Sequence, residues 1–253
     1  MKVLLAELTG GEARERLAKK PVILLPMGSQ EDQGPHAPMG DYLSAVAVAE
    51  RIARAAIDKG TDTLVAPALP FGGADYFGTM PGGIALSQTT LRAVIGEMFE
   101  CLLRHGLDRL IVINGHGGNI ATVTAAFDEV YASLSLRQNG EPSPVRCRMV
   151  MWSGGKRATA IADELYPGVN GSHATAAEVS LAQFYHPEAI KHAQMSPKVA
   201  PASSSFFDCF DYRRRYPDGR IGSDPSLSTP EHGERLFAAA VDDMAEAYQA
   251  FMA

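Results

Sequence analysis

Cysteine, tryptophan and positive charge are all scarce in this chain, and each shortage removes a class of protein. Three cysteines in 253 residues, Cys101, Cys147 and Cys209, show no CxxC spacing and leave one unpaired in any pairing. They do not read as a disulfide framework, which a chain of this length does not need. Cys101 and Cys147 lie in apolar runs and are expected to be buried, reduced thiols. Lys and Arg number 23 against 29 Asp and Glu, a formal net charge of −6. Nucleic-acid binding normally requires a basic face, so no nucleic-acid partner is expected. The one basic run, Arg213 to Arg215, is equally a solvated loop. No segment approaches the roughly 18 uninterrupted apolar residues of a membrane span. The apolar stretch before Glu7 is too short for a signal-peptide core, and a cytoplasmic protein is expected. Also absent are the GxSxG nucleophile elbow, the GxxxxGK[ST] phosphate loop and the GxGxxG dinucleotide signature.

What is present alternates between short apolar runs and longer helical patterns. Strands are expected at 22–26, 63–67, 110–113 and 145–152. Helices are expected at 42–59 with Asp41 as N-cap, from Ser87 as cap to Gly106, and at 121–134, 156–166, 173–185 and 231–250. Strands that are apolar throughout, separated by helices, indicate an α/β fold with a mainly parallel sheet covered on both faces. One domain over 1–253 is expected, since no linker or repeat interrupts it. The stretch 187–230 is too long for an ordinary connection and is expected to be functional or structured against a neighbouring subunit. In parallel sheets ligands bind beyond the carboxyl ends of the strands, which directs attention to the loops after Pro26, Leu69 and Ile113.

Polar chemistry concentrates there. Gly28 to Asp41 holds Glu31, Asp32, His36 and Asp41 on a loop stiffened by Gly and Pro. Carboxylate oxygens and imidazole on a stiff backbone suit a divalent cation; equally, Asp41 caps a helix and Glu31 bonds amides. Asn114-Gly-His116-Gly-Gly118-Asn119 follows the clearest strand, placing His116 either in the crevice or as a helix cap. His173 and Glu178 lie five residues apart, about 140° around a regular helix, so they cannot share one helical face. Either His173 precedes the helix or the two have different jobs; the plain alternative is a helix start with Glu178 solvated. Trp152, the only tryptophan, ends a strand on the carboxyl side and lines either the pocket or the core.

These clusters occur in the order seen in the creatininase (creatinine amidohydrolase) family. Gly28 to Asp41 resembles its G-S-x-E-Q-H-G-P-H-x-P motif and following Asp. Residues 114–119 are similar to its second motif, and His173-Ala to Glu178-Val-Ser resembles its His-Ala-x-x-x-Glu-Thr-Ser. Phe77-Gly-Thr-Met-Pro-Gly-Gly-Ile and the tail Asp224 to Gly233 are also family-like. The resemblance implies a three-layer α/β/α sandwich, a homohexamer, and hydrolysis of a carbonyl in a small polar cyclic or amide substrate with the help of Zn, Mn or Fe. It implies Glu31, Asp41 and His116 as metal ligands, with His173 and Glu178 as catalytic residues. Gln33 stands where the family places a second-metal histidine, and Gly118 where creatininase proper carries Glu. One tightly held ion is therefore expected, with Gln33, His36 and Trp152 as candidates for a weak second site or for substrate. Two other readings stay open: ring-opening carbon–carbon hydrolysis of a cyclic ketone such as a keto-inositol, and a metal-depleted binding protein.

Overall fold

The computed structural model describes residues 1–137 and 140–252; Gln138, Asn139 and Ala253, within the expected domain span, lie outside them. In chain order the elements are α1 (Gly10–Leu17), β1 (Val22–Met27), α2 (Tyr42–Asp58), β2 (Thr63–Val65), α3 (Gln88–Arg104), β3 (Arg109–Asn114), α4 (Ile120–Arg137), β4 (Arg146–Met151), α5 (Lys156–Leu165), α6 (Ala176–Tyr185), α7 (Cys209–Arg215) and α8 (Pro230–Met252). The strands form one parallel sheet in the order β2-β1-β3-β4. In the register, Leu24 lies between Val65 and Ile111.

Side chains alternate across a strand, so each apolar run feeds two cores. Val22, Leu24, Val65, Ile111 and Ile113 pack with Ala45, Val48 and Ile52 of α2 and with Ala240 and Met244 of α8. Ile23, Leu25, Leu64, Leu110 and Val112 face the other way, against Leu91, Ile95 and Phe99 of α3 and Val123 and Ala126 of α4. The result is the three-layer α/β/α sandwich. Burying each such side chain contributes about 1.5–3 kcal/mol, and both faces of β1 and β3 are sealed this way. The central strands are thus rigid supports for the loops at their carboxyl ends.

Several local expectations need correction. Asp41 precedes α2, but its side chain makes no capping bond to that helix; its oxygens are engaged by Ser29 and His116 instead. α6 begins at Ala176, not at 173, because Thr175 caps it and Glu178 completes the capping box. Glu178 is accordingly half-buried and bonded rather than solvated. Cys101 is exposed, since it lies off the α3 face carrying Leu91, Ile95 and Phe99. The stretch 187–230 is not wholly irregular: it contains α7 and single-turn 3-10 helices at Pro187–Ala189 and Pro225–Leu227. Ser87 does cap α3, its hydroxyl accepting from Thr90 N–H at 3.2 Å. Among the described residues no helix is long and apolar enough to cross a membrane.

Candidate active site

Three chain turns meet at the carboxyl edge of the sheet. The turn after β1 carries Glu31 and leads to Asp41, the turn after β3 carries His116, and the glycine-rich loop after β2 lies over both. Asn119 ties them together: its amide donates to Gly28 O at 3.0 Å and to Asn114 Oδ1 at 3.1 Å, while its Oδ1 accepts from Gly73 N–H at 2.9 Å. Asn114 closes the His116 turn by accepting from His116 N–H at 3.1 Å and donating to His116 O at 2.6 Å. Two glycines are obligatory. A Cβ on Gly28 would collide with Asp41 Oδ1 and lie 2.5 Å from Tyr42 N; one on Gly115 would lie 2.6 Å from Asp41 O.

Within this frame Glu31, Asp41 and His116 converge, and all are buried. His116 Nδ1 lies 2.9 Å from Glu31 Oε2 and 3.1 Å from Asp41 Oδ2. One ligand-type atom from each residue falls within 4.8 Å of the others. Asp41 Oδ1 accepts from Ser29 N–H at 2.6 Å, and Gln33 Nε2 donates to Glu31 Oε1 at 3.2 Å. Glu31 Oε2 is out of reach of water, and its only close polar neighbour among the described residues is the His116 ring nitrogen. Two buried carboxylates that share a single imidazole nitrogen are costly to keep ionised, and two carboxylates and an imidazole aimed at one point form a donor set that suits a divalent cation.

The charges record the same crowding. Burial, reinforced by Asp41, pushes the Glu31 carboxyl up to about 8. Burial opposes charge on His116, but Glu31 and Asp41 together outweigh it and raise the imidazole to about 10. Without a cation, the cluster therefore retains protons that isolated groups would release.

His173 stands beside the cluster, with Nδ1 3.6 Å from Glu31 Oε1. Its Nε2 lies 2.7 Å from Asp32 O; a carbonyl only accepts, so Nε2 carries the hydrogen and Nδ1 keeps its lone pair. Burial lowers this imidazole to about 4. The Phe77 ring packs on it, centroids 4.4 Å apart. Ala174, at φ 47°, adopts the left-handed conformation that an L side chain disfavours, and this bend separates His173 from the helix that follows. Glu178 Oε2 accepts from Thr175 N–H at 2.8 Å, and burial raises its carboxyl to about 7.

Two candidates lie outside the cluster. His36 is buried, its imidazole driven down by burial and by Arg220. Trp152 is 1% exposed and packs in the core with the α2 and α8 side chains. Gln33 sits at the cluster, but as a hydrogen-bond donor to Glu31. Sequence reasoning passed over Tyr76, whose hydroxyl lies 3.1 Å from His116 Nε2; the signal was an aromatic residue inside the glycine-rich loop after β2.

A parallel sandwich with a carboxylate–imidazole cluster at its carboxyl edge defines a class of α/β proteins built to hold a metal ion at the strand ends. Comparison with known proteins narrows that class. The family model described as creatinine amidohydrolase matches residues 6–248. The chain is 29% identical to creatinine amidohydrolase of Pseudomonas putida, over 97% of this chain and 95% of that one. It is 28% identical to the mycofactocin precursor peptide peptidase of Mycobacterium ulcerans (strain Agy99), over 95% and 89% respectively. Among solved structures, a mutant creatininase complexed with creatine superposes with a TM-score of 0.83 at 26% identity, covering 99% of this chain and 98% of that one. A structure described as "Creatininase Mn" gives 0.82 at 27%, covering 99% of each. The chain belongs to the creatininase family, and it is a hydrolase of that family.

Proposed function

We propose that this protein is a divalent-metal-dependent hydrolase that cleaves the carbonyl–nitrogen bond of a small polar substrate, a cyclic amide or a short peptide. The observation that carries the proposal is the buried convergence of Glu31, Asp41 and His116, with Glu31 Oε2 and Asp41 Oδ2 both turned to the same ring nitrogen of His116. These three residues would hold the ion. A divalent ion there supplies Lewis acidity, polarising a carbonyl and bringing the pKa of water towards ~7.

The remaining residues prepare that chemistry. Ser29 N–H and Gln33 Nε2 each fix one carboxylate oxygen, so Asp41 and Glu31 present their other oxygens to His116. His173, its Nε2–H tied to Asp32 O, offers Nδ1 as the atom that takes a proton from the attacking water or returns it to the leaving nitrogen. Glu178, raised to about 7, can hold a proton near neutral pH.

The carbonyl–nitrogen choice is supported by the printed activities of the two relatives, an amidohydrolase and a peptidase. No feature of the site favours carbon–carbon cleavage of a cyclic ketone, and the full complement of Glu31, Asp41, His116 and His173 speaks against a metal-depleted binding protein. Chelator-stripped and Zn- or Mn-reloaded protein should be assayed on creatinine and on short peptides by mass spectrometry. Turnover that returns with the metal supports the proposal; turnover that survives complete stripping overturns it. Self-association, for which the family resemblance implies a homohexamer, is supported by the exposed Phe207 and Phe210, and a monomer mass by light scattering would remove it.

A further inference from the structure

Tyr76 belongs to the single-turn 3-10 helix Asp75–Phe77 in the loop after β2. Its ring is held by Phe77, Phe206 and Tyr212, at centroid distances of 4.7, 5.6 and 5.8 Å. It lies 20° from coplanar with the His116 imidazole, and its hydroxyl meets His116 Nε2 at 3.1 Å. The opposite nitrogen, Nδ1, is the one turned towards Glu31 and Asp41. A neutral imidazole that offers Nδ1 as a ligand must carry its hydrogen on Nε2, and Tyr76 oxygen is the acceptor in place for that hydrogen.

The corner where Tyr76 meets His116 is tightly packed around Gly118. A Cβ there would lie 2.5 Å from His116 Nε2, 2.5 Å from Gly73 O and 3.0 Å from the Tyr76 hydroxyl. A side chain at 118 would therefore press on the His116 ring and the Gly73 carbonyl first, and more lightly on the phenol.

We propose that Tyr76 is a positioning residue of the metal centre: its hydroxyl accepts Nε2–H of His116 and locks the tautomer and ring orientation that turn Nδ1 to the ion. The proposal rests on Glu31, Asp41 and His116 being the ligands. Partners that orient a ligating histidine are worth 10–100-fold in metal affinity, as order-of-magnitude figures.

Tyr76→Phe keeps the ring packing and removes only the hydroxyl. Zn²⁺ titration of the stripped protein against a competing chelator should show a Kd raised about 10–100-fold, with an unchanged stoichiometry and no more than the modest fall in metal-free Tm expected for one N–H left without its partner. Cobalt substitution should show a shifted visible absorption band. Gly118→Ala, whose methyl would press on His116 Nε2 itself, should weaken Zn²⁺ binding as well. An unchanged Kd in Tyr76→Phe overturns the proposal, as does a lowered metal-free Tm without a change in Kd, the mark of a purely structural role. If Gly118→Ala does not fold, the Tyr76→Phe titration decides alone. Unsubstituted protein that binds no Zn²⁺ would instead refute the proposed function.

Discussion

Replacing Asp41 by Ala and by Asn separates the two jobs its carboxylate performs. One oxygen accepts from the buried Ser29 amide at 2.6 Å and the other faces His116. Alanine strands the Ser29 N–H away from water, at a cost of about 1–3 kcal/mol. For a protein of this size that lowers Tm by roughly 2–12 °C. No helix-cap loss adds to this, because Asp41 makes no capping bond to α2. Part of the cost is offset, since Asp41 is one of the charges crowding Glu31. Asparagine keeps an oxygen for Ser29 and should hold the metal-free Tm close to that of the unsubstituted protein. Both variants lose the anionic oxygen at the cluster, so both should emerge from purification without a bound ion. Differential scanning fluorimetry on chelator-treated samples, paired with elemental analysis, reads both quantities. Retained ion in Asp41→Ala would refute the assignment of Asp41 as a ligand. Equal Tm losses in the two variants would refute the role given to the Ser29 bond.

His173→Ala should cut kcat by about 10²–10⁴-fold while metal content stays unchanged, because His173 lies beside the three-residue cluster rather than within it; loss of the ion would make His173 a ligand. Metal-free protein should lose stability as pH rises. Glu31 is raised from 4.5 to about 8, so its contribution is greatest below 4.5 and falls until pH passes 8. His116 is raised from 6.5 to about 10, so its contribution is complete below 6.5 and is lost as pH passes through 10. Metal-bound protein, which needs these groups deprotonated, should show the smaller decline. Thermal melts between pH 6.5 and 8, where the two windows overlap, would contradict this if the metal-free Tm were flat or rose.

Much of the architecture was legible because β1 is apolar at every position and β3 from Leu110 to Ile113, the pattern of short strands buried on both faces. The site loops followed from the rule that parallel strands deliver chemistry to one edge. Asp41 misled because an Asp ahead of a helix reads as a cap, while the Ser29 amide that competes for it is twelve residues away. The start of α6 was readable: Thr175-Ala-Ala-Glu178 is a capping box, and it frees His173 from the helix. Cys101 misled because its apolar run reads as buried, while its helical spacing sets it off the α3 face that carries Leu91, Ile95 and Phe99. Tyr76 carried only a weak signal, an aromatic residue in a glycine-rich loop, because its meeting with His116 depends on how two separate loops pack beside Gly118.

The central claim is that Glu31, Asp41 and His116 hold one divalent ion, with Gln33 serving as a hydrogen-bond donor to Glu31 rather than as a ligand. Elemental analysis of protein reloaded with excess Zn²⁺ or Mn²⁺ and then desalted tests it directly. The account predicts one ion per chain in the unsubstituted protein and none in Asp41→Ala. Two tightly held ions per chain, or none, would contradict it.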